Sequence, residues 1–94
     1  MKAVMYNYNK WITYDVTEEM IIVRKFEELL IKSGFGIVKK VEHHFKVQGY
    51  TALWLLSESH FAIHTFSEER KMYIEISSCV KDYFDNFLNL IKDM

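Results

Sequence analysis

Five short extended stretches run along this chain, four with apolar and polar positions alternating and one almost continuously apolar, together with two stretches of helical periodicity. Trp11 to Val16 is the first extended stretch, with Ile12, Tyr14 and Val16 on one side and Trp11, Thr13 and Asp15 on the other, as in a half-buried strand. Thr17 followed by Glu18 and Glu19 reads as a helix start: the hydroxyl can accept from a free backbone N–H, and acidic residues favour the positive end. Ile22, Phe26, Leu29 and Leu30 then recur at helical spacing, and Gly34 can close the helix in a left-handed conformation. The pattern predicts a helix over 18–33. Phe35 to Val41 alternates again, whereas Tyr50 to Leu56 is almost continuously apolar, as in a strand covered on both faces. Period two returns over His60 to Phe66 and Met72 to Cys79, and Tyr83, Phe84, Phe87, Leu88 and Ile91 mark a terminal amphipathic helix. Grouped strands flanked by helices predict an α+β fold, a two-layer sandwich of a mainly antiparallel sheet with helices on one face. No proline, repeat or linker divides the chain, so one domain over 1–94 is expected.

Composition narrows the reading. At 94 residues, 50% apolar and 16% aromatic, the chain can form one core. A domain of this size buries only somewhat more than roughly 60% of its unfolded surface, so a subunit interface would help it, and a homodimer is expected. Twelve basic residues against thirteen acidic ones, with no run of five like charges, disfavour nucleic acid as a partner. The longest apolar run, Ala52 to Leu56, is far short of the roughly 20 residues of a membrane helix, and the N-terminus lacks a signal-peptide pattern. A cytoplasmic protein without a membrane partner is expected. One cysteine, Cys79, excludes an intramolecular disulfide and leaves a thiol for packing or chemistry.

Chemistry-bearing residues concentrate between His43 and Cys79. His43-His44-Phe45, Gln48-Gly49, Glu58-Ser59-His60, Ile63-His64-Thr65 and Cys79 follow one another in an order and spacing that resembles, without a gap, the prokaryotic S-adenosylmethionine decarboxylase family. The resemblance implies a self-processing proenzyme in which Ser59 attacks the Glu58 carbonyl, the chain splits after Glu58, and Ser59 becomes a pyruvoyl group, a cofactor made from the chain itself. A pyruvoyl carbonyl condenses with a substrate amine and withdraws the electrons released with carbon dioxide. It further implies that His64 removes the Ser59 α-proton, a task suited to an imidazole titrating near neutrality. Cys79 would be the proton donor after decarboxylation, and Thr51 would stand where the family has a hydroxyl assisting processing. Phe45 and Phe66 would stack on the adenine of S-adenosylmethionine, and Glu68 would hold the ribose. If the strand continues, period two would place His64, Phe66 and Glu68 on one face.

Several positions depart from the family pattern: Phe66 replaces tryptophan, Ser67 proline, Val80 glycine and Ala52 glycine. Members commonly continue beyond the equivalent of Met94 into a further strand, so a sheet lacking one edge strand is expected. Taken singly, Ser59 reads as a turn serine, His64 as a hydrogen-bonded strand histidine, Cys79 as a small buried hydrophobe, Thr51 as a strand former, and Phe45 and Phe66 as core aromatics. Glu68 within Glu68-Glu69-Arg70-Lys71 reads as a solvated turn. A metal site is not expected: on one strand His60 and His64 would stand about 13 Å apart, and adjacent His43 and His44 point to opposite faces. The resemblance therefore carries a S-adenosylmethionine decarboxylase supplying the aminopropyl donor for spermidine synthesis. Two alternatives stay open: the same chemistry on arginine or ornithine, and a homologue that does not cleave and serves as a ligand- or partner-binding module.

Overall fold

The computed structural model describes residues 2–94. Its elements run β1 (Tyr6–Thr13), α1 (Glu19–Ser33), β2 (Ile37–His44), β3 (Tyr50–Leu56), β4 (Ser59–Phe66), β5 (Lys71–Ser78) and α2 (Lys81–Ile91), with 3-10 turns at Val16–Glu18 and Ser67–Glu69. The strands form one sheet in the order β1-β5-β4-β3-β2, each neighbouring pair antiparallel. This is the expected antiparallel α+β arrangement.

One face of the sheet carries the core. Tyr50, Ala52, Trp54 and Leu56 from β3, Phe61 and Ile63 from β4, and Met72, Ile74 and Ile76 from β5 are all buried there. Val23, Phe26, Leu29 and Leu30 of α1 and Phe84, Phe87 and Ile91 of α2 close over them, so both helices lie on that face. Phe61 sits at the centre, with its ring 5.6 Å from Phe26, 5.3 Å from Phe87 and 5.5 Å from Trp54. Such aromatic pairs contribute about 0.5–1.5 kcal/mol each beyond their area burial. Trp54 also donates its indole N–H to Glu27 at 2.8 Å, which pins α1 across the sheet.

Helix ends follow local chemistry, with one correction. Gly34 is left-handed (φ 117°) and ends α1 as the glycine pattern predicts, donating its N–H to Ile31, while Phe35 donates to Leu30. A Cβ at Gly34 would lie 2.6 Å from the Tyr83 ring, so glycine is required here by sterics as well as by φ. The helix start is not capped by Thr17. Asp15 accepts from the Thr17 N–H at 3.0 Å and from its hydroxyl at 2.8 Å, opening a 3-10 turn before α1 begins at Glu19. The carboxylate two residues earlier outcompetes the hydroxyl as acceptor.

The other face of the sheet is open. Leu53 and Leu55 are 49% and 52% exposed, contrary to a strand covered on both sides, and Val41, Trp11 and Phe66 join them. β1 begins at Tyr6, earlier than the alternation from Trp11 suggests, and Val16 is exposed.

Candidate active site

Two groups of side chains gather at opposite ends of the sheet. At the first, β3 and β4 are joined by the two-residue turn Ser57-Glu58, and Leu56 pairs directly with Ser59. Glu58 is left-handed (φ 59°). That conformation costs a residue with a side chain on the order of 1–2 kcal/mol, and it falls on the residue before the Glu58–Ser59 bond. Ser59 opens β4, buried on the core face, and its hydroxyl donates to Ser78 at 2.7 Å. The exposed Cys79 thiol reaches the Glu58 carbonyl oxygen at 3.2 Å and its carboxylate at 3.9 Å. The peptide between Glu58 and Ser59 is thus held by Ser78 and Cys79, consecutive residues at the end of β5.

The second group lies on the open face. One row of cross-strand neighbours runs Trp11, Tyr73, His64, Thr51, His43 across all five strands. His64 Nδ1 and Thr51 Oγ1 are hydrogen-bonded at 3.0 Å. Beside them opens a cleft of about 690 Å³ whose lining includes Phe45, Gly49, Thr51, His64, Phe66 and Glu68, within the size range of small-molecule sites. Phe45 and Phe66 present exposed rings. Gly49 (φ 105°) turns the chain so that Phe45 N–H donates to the Gly49 carbonyl at 2.9 Å, which brings the Phe45 ring to the rim.

Glu68 reaches this cleft from the 3-10 turn after β4, not from a continued strand. Ser67 Oγ donates to Glu19 at 2.9 Å, and Tyr14 hydroxyl donates to the same carboxylate oxygen, which ties the turn to α1. Burial, reinforced by that carboxylate, pushes the Tyr14 phenol up from its ordinary pKa. The lining holds Glu68 and Glu69 and neither Lys nor Arg. An acidic cleft rimmed by aromatic rings suits a flat ligand bearing positive charge.

The structure therefore brings together Glu58, Ser59 and Cys79 at one end, and Thr51, His64, Phe45, Phe66 and Glu68 at the other. It does not bring the two together. Ser59 and His64 stand five positions apart on β4, about 16 Å at the rise of a strand. Their odd spacing puts Ser59 on the core face and His64 on the open face. Ser78 was not singled out by sequence. Its one signal is register: Ser59 and Ser78 are equidistant from the charged turn after Phe66 and hence cross-strand partners.

A five-stranded antiparallel sheet backed by two helices, with a serine-bearing hairpin end and a cleft on its free face, defines a class of α+β proteins. The sequence model described as S-adenosylmethionine decarboxylase matches residues 3–93, and the chain belongs to that family. Among relatives, the S-adenosylmethionine decarboxylase proenzyme of Clostridium botulinum (strain Loch Maree / Type A3) is 38% identical over 66 residues, covering 69% of this chain and 54% of that protein. The proenzyme of Geobacillus kaustophilus is 36% identical over 58 residues, covering 62% and 47%. The chain spans about half the length of these relatives. The crystal structure of the adenosylmethionine decarboxylase from Aquifex aeolicus VF5 superimposes with a TM-score of 0.74 at 16% identity, over 98% of this chain and 83% of that one, the same fold.

Proposed function

We propose that the chain is the proenzyme of a pyruvoyl-dependent S-adenosylmethionine decarboxylase that works as a homodimer in the cytoplasm and supplies the aminopropyl donor for spermidine synthesis. The observation that carries the reading is the Glu58–Ser59 peptide: a left-handed residue on its N-terminal side, a buried serine hydroxyl on its C-terminal side, and a thiol against the carbonyl to be attacked. In the first step Ser59 Oγ bonds to the Glu58 carbonyl carbon, the C–N bond breaks, and the hydroxyl proton ends on the Ser59 nitrogen, leaving an ester. The Cys79 S–H, pointing at the Glu58 oxygen, stabilises the charge that develops there. Next, the Ser59 α-proton is removed, Glu58 leaves as a carboxylate, and water replaces the nitrogen, releasing ammonia and leaving the pyruvoyl group. That group supplies an electron-withdrawing carbonyl for decarboxylation, and the exposed Cys79 thiol, with no disulfide partner, is free to return a proton to the substrate carbon. A thiol used this way suits a reducing compartment.

His64 is the base for the α-proton: its Nδ1 is engaged with Thr51 Oγ1, and the tautomer protonated on Nδ1 leaves the Nε2 lone pair available. A base must come within hydrogen-bond reach of its proton, and within one chain it stands about 16 Å away. A second copy resolves this. Packing the open faces of two sheets about a two-fold axis running across the strands sets each Ser59 end beside the partner's cleft, and the same contact covers Leu53, Leu55 and Val41. Phe45 and Phe66 stack on adenine and Glu68 holds the ribose hydroxyls, while the acidic lining favours the sulfonium charge.

Intact-mass measurement on freshly purified protein tests the processing, with fragments 1–58 and 59–94 expected, the second beginning in a pyruvoyl group. Carbon dioxide release should occur with S-adenosylmethionine; release from arginine or ornithine and none from S-adenosylmethionine would overturn the substrate, and a persistently whole chain the enzyme.

A further inference from the structure

Ser78 has no part in the chemistry described so far, yet it is the sole hydrogen-bond partner of the Ser59 hydroxyl among the described residues. Its side chain is wholly buried. A serine hydroxyl offers one donor and two acceptor sites, and Ser78 uses all three: it accepts from Ser59 at 2.7 Å and from the Val80 N–H at 2.9 Å, and it donates to the Val80 carbonyl at 3.4 Å. In this arrangement Ser59 donates and Ser78 accepts, so the Ser59 proton points at Ser78 and neither Ser59 lone pair has a hydrogen-bond partner among the described residues.

We infer that Ser78 is a positioning residue for self-cleavage, holding the Ser59 hydroxyl in the rotamer whose lone pair faces the Glu58 carbonyl carbon; the inference rests on the self-processing reading above. Three placements support it. Ser59 and Ser78 are direct register partners, so the contact is set by the sheet and not by a mobile loop. Val80 N–H locks the Ser78 hydroxyl from the start of α2, which removes the rotational freedom an isolated serine would keep. Cys79, the next residue, contacts the oxygen of the same carbonyl, so two consecutive residues engage the two reacting partners, nucleophile and electrophile. Ser78 acts only on the first step, because the later loss of the α-proton no longer involves a free Ser59 hydroxyl.

The test uses the full chain with His64→Ala, in which elimination is blocked and the ester accumulates; hydroxylamine then releases fragment 1–58 in proportion to ester formed. Adding Ser78→Ala should slow ester appearance by between about tenfold and a hundredfold. Ser78→Thr and Ser78→Val share a shape and differ by the hydroxyl, so their rate ratio reads the hydrogen bond even where both disturb packing, and the Thr chain should be faster by a similar factor. With His64 restored, once ester has formed, its elimination should run equally fast in the Ser78 variants. Ester formation in Ser78→Ala at the parental rate, or equal rates for Thr and Val, would overturn the positioning role while leaving the enzyme reading intact. A wild-type chain that never cleaves would overturn both.

Discussion

Co-expression of two inactive chains separates a site shared between subunits from one contained in a single chain. On the proposed reading Ser59→Ala removes the nucleophile and His64→Ala the base, and each homodimer should stay unprocessed, the second arrested as an ester. In a mixed dimer one site combines Ser59 of one subunit with His64 of its partner, and the other site holds both alanines. Random pairing of equal amounts makes about half of the dimers mixed, so about half of the His64→Ala chains, a quarter of all chains, should cleave and acquire a pyruvoyl group. The geometry leaves little middle ground. With about 16 Å of strand between the two residues, no rotamer change within one chain supplies contact. Distinguishable affinity tags on the two chains and intact-mass analysis give the cleaved fraction of each. No cleavage in tag-verified mixed dimers would refute the shared site, and pyruvoyl formation in the His64→Ala homodimer expressed without its complement would refute His64 as the base.

Other consequences are open to measurement. Leu53→Lys places a charge on the open sheet face, where covering each leucine contributes about 1.5 kcal/mol or more; light scattering should report a monomer, and cleavage should fall more than about tenfold, while helical circular dichroism is kept. Gly34→Ala meets both an unfavourable φ and the Tyr83 ring 2.6 Å from its Cβ, so a loss of about 2 kcal/mol or more in urea unfolding is expected; an unchanged midpoint would refute the steric argument. Burial and hydrogen bonds to Glu19 and Glu42 raise the phenol pKa values of Tyr14 and Tyr50. A raised folded-state pKa means that their contribution is complete below the unfolded value near 10 and is lost as pH climbs through the folded one. Melting temperature should therefore fall above about pH 10, and the fall should be shallower in Tyr14→Phe and Tyr50→Phe; equal slopes would refute the assignment.

Much of the fold is legible in the chain because burial dictates periodicity. Ile63, Ile74 and Ile76 reach the core at period two, and Phe26, Leu29 and Leu30 at helical spacing. The misses have local causes. β1 is under-read because Lys10 interrupts the inward series Tyr6, Tyr8, Ile12, and only the half-buried tyrosines betray the earlier start. β3 is over-read because a continuous apolar run does not distinguish a face covered by helices from one that a single chain leaves bare. Within the site, motif spacing groups Ser59 with His64, whereas strand parity parts them, and that parity was readable from the five-residue offset. The Ser59–Ser78 pair depends on the register of two strands, which no local pattern displays until the intervening turn is located.

The exposed leucines of β3 and the divided site have one physical origin. Leu53 and Leu55 alternate with the core residues Ala52, Trp54 and Leu56, so any sequence that makes β3 apolar throughout builds a second hydrophobic surface on the face opposite the helices. Thr51 and His64 project from that same surface. On the proposed reading, the contact that covers the leucines is also the one that carries His64 to a scissile bond, so a chain cannot complete its own cleavage chemistry before it has found a partner. Cleavage at high dilution should then become second order in chain concentration, with the monomer folded yet whole.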